Sequence, residues 1–206
     1  MFVVIEGPNG AGKTTLINDL SSKGYTTLSS PNGTPLAKIL RPACRGTDPW
    51  EDIDKKVQFL LFSAARLDEY IRCIENKEEV VVVDRWWTST YVYQCILGGI
   101  DVGFMENTVH DNEKIDLVVL LDGDDDVLIN RMESERAKNP NHKKCSWTKD
   151  QEIIKKLINI YRNELPRYLE SKGIDVIQVN TTNMTTDQVS TYIESVIESK
   201  RSAKNE

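Results

Sequence analysis

The residues Gly7-Pro8-Asn9-Gly10-Ala11-Gly12-Lys13-Thr14 have the types and spacing of a loop that wraps phosphate. Glycines allow the tight backbone path and let main-chain N–H groups converge on an anion. A lysine in the seventh place reaches the outer phosphates, and the hydroxyl after it can hold Mg²⁺. An apolar run precedes the loop and the helix-like Leu16-Ile17-x-x-Leu20 follows it, so a helix N-terminus adds its positive end to the site. A second charged pair, Asp84-Arg85, ends another apolar run, Val80–Val83. At the carboxyl end of a parallel strand an Asp can hold Mg²⁺, and an Arg can bridge donor and acceptor phosphates. Trp86-Trp87-Thr88-Ser89-Thr90-Tyr91-Val92-Tyr93-Gln94 follows at once, a density of rings and hydroxyls suited to a base and sugar, or for the two tryptophans to packing under the sheet.

Such residues need strands that end together. Five β-branched runs are predicted as strands: Phe2–Ile5, Thr26–Leu28, Val80–Val83, Leu117–Leu121 and Val176–Val179. Several are continuous rather than alternating, as in strands buried on both faces of a parallel sheet. Between them lie helical stripes: Val57, Leu60, Leu61, Ala64, Leu67, Ile71 and Ile74; then Ile153, Ile154, Leu157, Ile158, Tyr161 and Leu165; then Val189, Ile193, Val196 and Ile197. Strand alternating with helix predicts an α/β fold. Residues 29–34 read as a turn, residues 135–147 as a polar, basic loop or mobile lid, and Lys200–Glu206 as a frayed tail.

With 206 residues the length suits one domain, and the net charge of −6 speaks against polynucleotide partners while leaving small phosphate ligands open. No apolar stretch has the length of a membrane span and the N-terminus lacks a signal's basic region, so neither a membrane partner nor secretion is expected. Cys44, Cys73, Cys95 and Cys145 lack the spacing of a zinc site and read as reduced thiols of a cytoplasmic protein. A switch GTPase is excluded: no glycine follows an Asp by three positions, and Asn76-Lys77-Glu78-Glu79 lacks the final Asp of a guanine reader.

The chain resembles the thymidylate kinases. The resembling pieces are Ile5 through Thr15, Asn32-Gly33-Thr34-Pro35-Leu36-Ala37, Leu61-Phe62-Ser63-Ala64-Ala65-Arg66, Asp84 through Gln94, and Asp116 through Asp122, in family order. The resemblance implies a three-layer P-loop kinase fold with a five-stranded parallel sheet, a mobile lid over about residues 131–147, and transfer of the ATP γ-phosphoryl to dTMP with Mg²⁺. Gly7, Asn9, Gly10, Ala11, Gly12, Lys13, Thr14 and Thr15 would then bind ATP, with Thr14 and Asp84 at the metal. Phe62 would stack on thymine, Arg66 and Thr90 would bond the base, and Tyr93 would crowd the sugar 2′ position. Arg41 and Arg85 would meet the acceptor phosphate, Asn9 the 3′-hydroxyl. Arg131, Arg136, Lys138, Lys143 and Lys144 are the basic residues of the lid, Arg131 and Arg136 being candidates to contact the moving phosphoryl group. A homodimer is implied as well.

Departures fall around the acceptor. Asn9 stands where an acid is usual, Ser29-Ser30-Pro31 where an Arg-Glu-Pro run is common, and Trp86 where Tyr or His is common. They leave thymine or a modified uracil open as the base. A deoxynucleoside kinase acting on a 5′-hydroxyl needs a base, typically a carboxylate after the second or third strand; the second strand ends Leu28-Ser29-Ser30 with no acid, which argues against that reading. A non-catalytic nucleotide binder would not need Lys13, Thr14, Asp84 and Arg85 together.

Overall fold

A computed structural model describes residues 1–47, 49–50, 52–108, 114–138 and 150–204, excepting the side chains of residues 136 and 204. Lys143, Lys144, Cys145 and the lid beyond residue 138 lie outside the described residues.

The continuous apolar runs become five parallel strands: β1 (Phe2–Glu6), β2 (Thr26–Ser29), β3 (Val81–Asp84), β4 (Leu117–Asp122) and β5 (Val176–Asn180). Their order is β2-β3-β1-β4-β5. Alternate residues of β1 face opposite ways and both faces are covered. Val4 joins Val83, Trp86 and Leu120 on one side, while Val3 and Ile5 join Leu16, Val82 and Ile193 on the other. Double burial removes the polar alternation that a one-sided sheet would show.

Helices α1 (Lys13–Ser22), α2 (Pro35–Cys44), α3 (Lys55–Glu69), α4 (Trp87–Thr90) and α5 (Val102–Thr108) precede β4. Helices α6 (Asp125–Lys138), α7 (Gln151–Asn159), α8 (Leu165–Ser171) and α9 (Thr186–Lys204) follow it. Three segments widen to π-helical turns: Tyr70–Ile74 after α3, Tyr91–Ile96 after α4, and Ile160–Glu164 between α7 and α8. Local chemistry fixes the helix starts. Thr34 caps α2 through its hydroxyl, with Pro35 behind it, and Asp54 and Asp150 cap α3 and α7. No side chain caps α1, which begins after Gly12 in left-handed geometry.

Register brings the functional ends together. Asp84 on β3 pairs with both Ile5 on β1 and Ser29 on β2. The sheet's carboxyl edge therefore carries the phosphate loop, Asp84-Arg85 and the residue 29–34 turn side by side, as ligand sites of open α/β sheets require.

Three expectations are corrected. The stripe runs from α3 into the following π-helical turn but is turned largely outward: Val57 and Leu60 on α3 and Ile71 in the turn are 46%, 46% and 55% exposed, while its last residue, Ile74, joins the core. The inward face instead holds Phe59, Ala65 and the charged Arg66 and Glu69, both buried and hydrogen-bonded. Periodicity finds an apolar stripe but cannot tell which side meets the core. Residues 135–138 are the last turn of α6 rather than loop. The expected frayed tail is helical to Lys204, anchored where Lys200 pairs with Asp175. Among the described residues no helix is long and apolar enough to cross a membrane.

Candidate active site

The phosphate loop leaves β1 at Gly7, whose φ of 143° and proximity to β4 admit only glycine: an added Cβ would lie 2.2 Å from the Leu121 carbonyl oxygen. Gly10 is equally confined, with the Leu128 carbonyl oxygen 2.4 Å from an added Cβ. Lys13 folds back over the loop and donates to the carbonyls of Gly7 (2.8 Å) and Pro8 (2.7 Å). Burial, then the charge of Arg85, lowers its pKa to about 7, against the opposing pull of Asp84, Glu6 and Glu135. Among the described residues no carboxylate forms an ion pair with the Lys13 side chain, whose described hydrogen bonds go to loop carbonyls.

The cup at the loop has a volume of about 180 Å³ and is lined by Asn9, Gly10, Gly12, Lys13, Thr14, Thr15, Asp84, Arg85 and Glu135. Among the described residues, Asp84 Oδ1 is buried there without a hydrogen-bond partner. A buried acceptor left unpaired is costly, and beside the Thr14 hydroxyl it suits Mg²⁺, which takes one or two protein groups and completes its shell with water and phosphate. Among the described residues no cluster of three or more metal-ligating His, Cys, Asp or Glu occurs, in keeping with such a sparse site.

Arg85 follows Asp84 with a φ of 66°, in the left-handed region unusual for a side-chain-bearing residue. Its guanidinium donates to Asn9 Oδ1 (3.0 Å), Ser89 Oγ (3.2 Å) and the Tyr161 hydroxyl (2.9 Å). It also lies 3.6 Å from the Glu6 carboxylate and beside the Tyr93 ring. Burial alone would lower its pKa, but Tyr161, Tyr93, Glu6 and Asp84 outweigh that and hold it well above the usual arginine value.

A second group sits one residue past Ser89. Arg66 on α3 donates to the hydroxyl of Thr90 on α4 and lies over the Phe62 ring, 5.0 Å from its centroid. Phe62 and Arg66 share a helix face because they are four residues apart. Arg41 donates to the Pro31 carbonyl (2.9 Å), and burial, then Arg45, lowers its pKa. Glu69, fully buried, accepts from Ser30 Oγ (2.6 Å), Asn32 N–H (2.7 Å) and Gly33 N–H (2.6 Å). It thereby holds the turn that carries Pro31.

On the other side of the loop a cleft of about 560 Å³ is lined by Gly10, Ala11, Leu121, Asn130, Arg131, Lys138, Thr181 and Met184, among others. Arg131 is brought to this cleft rather than to the phosphate cup, where its guanidinium donates to Thr181 Oγ1 (3.1 Å) and the carbonyl of Thr181 (3.1 Å). The Arg136 side chain lies outside the described atoms. Trp86 does not belong with the acceptor departures: it is wholly buried, edge-on to Phe2 at 5.4 Å. Trp87 is buried as well, edge-on to Tyr168.

Sequence reasoning passed over Glu6, Glu69, Tyr161 and Glu135. A charge closing an apolar strand was the available signal for Glu6. Tyr161 lay within a core-like stripe, and nothing local marked Glu69 or Glu135.

A phosphate cup on β1, an Asp-Arg pair on the neighbouring β3 and a larger cleft beside the loop are the site of a P-loop phosphotransferase. The thymidylate kinase family description fits residues 5–180. A probable thymidylate kinase of Methanococcus aeolicus is 30% identical over 193 residues, 91% of this chain and 91% of the relative. A thymidylate kinase of Acinetobacter baylyi is 35% identical over 109 residues, 48% of this chain and 54% of the relative. The solved structure of thymidylate kinase from Candida albicans shares the fold, with a TM-score of 0.69 at 18% identity over 97% of this chain and 92% of its own. The chain belongs to the thymidylate kinase family, and is a nucleoside monophosphate kinase.

Proposed function

We propose that this chain transfers the γ-phosphoryl group of ATP to the phosphate of dTMP, giving dTDP and ADP. The observation that carries the reading is that Arg85, which lines the phosphate cup, bonds Ser89, while the next residue, Thr90, accepts from Arg66 beside Phe62. One acceptor with a phosphate at one end and a flat base at the other spans both.

Lys13 and the loop amides bind the donor phosphates, and the 560 Å³ cleft takes the rest of ATP. Thr14 and Asp84 would hold Mg²⁺, which neutralises charge on the β- and γ-phosphates when bound. Arg85 and Arg41 grip the acceptor phosphate, one oxygen of which attacks the γ-phosphorus as the bond to the β-phosphate oxygen breaks. That oxygen is already a competent nucleophile, so placement in line and charge stabilisation supply the catalysis. Phe62 stacks on the base, Arg66 and Thr90 bond its edge, and Tyr93 excludes a 2′-hydroxyl.

One panel tests this: full-length protein, ATP and Mg²⁺ with dTMP, dUMP, 5-substituted dUMP, dCMP, dGMP and thymidine. The expected result is dTMP as the preferred acceptor and no phosphorylation of thymidine. Preference for a 5-substituted dUMP moves the assignment to a modified base; preference for dGMP contradicts the roles of Phe62, Arg66 and Thr90.

The working form is a cytoplasmic homodimer. Leu36 and Ile39 on α2, Val57 and Leu60 on α3, and Ile71 in the π-helical turn that continues α3 are exposed apolar residues, and α2 contacts α3, a surface suited to a second copy. Sedimentation should give a dimer that Leu60→Glu converts to monomer; a monomeric wild-type chain removes this element.

A further inference from the structure

We propose that Glu6 is the positioning residue for Arg85, a buried anion that sets where the acceptor phosphate is gripped. This rests on the reading of Arg85 as the acceptor-phosphate group. Glu6 is the last residue of the central strand β1, and its side chain is fully buried. Burying a carboxylate is costly unless it is paired and hydrogen-bonded. Here it accepts from the Trp86 N–H (3.2 Å), Thr88 Oγ1 (2.6 Å) and Ser89 Oγ (2.8 and 3.0 Å). All three donors come from the segment directly after Arg85, so Glu6 ties down the chain on which Arg85 stands.

The same carboxylate reaches Arg85 in two further ways. Its charge lies 3.6 Å from the guanidinium. Ser89 Oγ also forms a relay, accepting from Arg85 at 3.2 Å while donating to Glu6. The left-handed backbone at Arg85 needs such over-determination, because nothing in the residue's own preferences favours it. A neutral hydrogen-bonding residue would satisfy Trp86 and Thr88 equally well. What it would lack is the counter-charge to a cluster in which Arg85 and Lys13 both lie near the buried carboxylate. Glu6 thus permits two cations to converge on the site before any phosphate arrives, and it holds one of them in place.

The test is a double-mutant cycle with Glu6→Gln and Arg85→Met in the full-length protein, read as kcat and KM for dTMP and for ATP. Glu6→Gln is expected to lower kcat/KM for dTMP about tenfold, with KM for ATP within about twofold of wild type, and to add less than about twofold in the Arg85→Met background. A residue that merely supported the fold would weaken both substrates and act additively with Arg85→Met. Wild-type dTMP kinetics in Glu6→Gln, or an undiminished Glu6→Gln effect in the Arg85→Met background, overturns the proposal. If Glu6→Gln fails to fold, Ser89→Ala, which removes the Ser89 bonds but leaves the Glu6 charge and its bonds to Trp86 and Thr88, takes its place in the cycle under the same criteria. Should Arg85→Met itself leave dTMP kinetics intact, the reading of Arg85 falls first and the role of Glu6 with it.

Discussion

Arg85 on the turn after β3 donates to Asn9 Oδ1 on the phosphate loop at 3.0 Å, closing the acceptor side of the cup with a contact between two strands' ends. An acid at position 9 would form an ion pair with this guanidinium and compete with the acceptor phosphate for it. The neutral amide holds Arg85 weakly enough to release it, since hydrogen bonds to one neutral partner are individually modest.

Replacing Asn9 by Ala separates its two roles. Both dTMP and its 3′-deoxy analogue meet the released Arg85 equally, so that effect cancels in their ratio. Only dTMP loses a bond to the 3′-hydroxyl. The expected result is a fall of about tenfold in the preference for dTMP over the 3′-deoxy acceptor, the worth of one hydrogen bond. Steady-state kinetics with both acceptors measures it, and an unchanged ratio removes Asn9 from the sugar site.

Lys13 predicts a proton linkage. Its pKa is lowered to about 7 in the free protein from 10.5, so between those values the unfolded chain holds a proton that the native state lacks. The nucleotide-free protein therefore gains stability as pH rises through that window. Bound ATP reverses the local field, because phosphate oxygens favour the ammonium form. At about pH 8.5 binding should take up close to one proton, and affinity should fall as pH rises above about 7. Calorimetry in buffers of different ionisation enthalpy reads the uptake directly, and Lys13→Met should show none. Equal heats in all buffers for the wild type would remove the linkage.

The parts legible in the sequence were those whose signal is local. β1, β3 and β4 are covered on both faces, so their runs are unbroken and their limits fall within a residue or so of the observed ones. Lys13, Asp84 and Arg85 stand at strand ends, where an α/β sheet keeps its ligands. Glu69 and Glu6 were hidden because their partners are distant: Glu69 meets Ser30, and Glu6 meets Trp86 through Ser89, only once the strands lie side by side. Tyr161 read as core and is core, yet its hydroxyl reaches Arg85 from the π-helical turn after α7. Trp86 misled in the other direction, since the residue after a site arginine on a strand-end turn points under the sheet.

Glu69 carries a stability prediction. Glu69→Ala strands the Ser30 hydroxyl and the Asn32 and Gly33 amides and opens a cavity beside them. Urea unfolding should show a loss of about 3 kcal/mol, the range for breaking a buried network. The turn it releases also presents the Pro31 carbonyl to Arg41, so KM for dTMP should rise while KM for ATP holds. A loss below about 0.5 kcal/mol would place Glu69 among ordinary surface acids.

Tyr93 tests sugar discrimination. The π-helical turn Tyr91–Ile96 sets its ring beside the Arg85 guanidinium, 5.7 Å from centroid to the guanidinium carbon, and edge-on to Tyr161 at 6.3 Å. Held from both sides, the ring is a fixed wall, and a fixed wall excludes a hydroxyl better than a mobile one. Tyr93→Ala uncovers Arg85 and so slows the deoxy and ribo forms of the acceptor alike. The informative quantity is their ratio, because only the ribo form gains the vacated volume. The deoxy-over-ribo preference in kcat/KM should fall at least about tenfold, the scale of relieving one steric conflict in a packed site. Tyr93→Phe, which keeps the wall, should leave the ratio within about twofold of wild type. An undiminished preference in Tyr93→Ala would mean that another group reads the sugar.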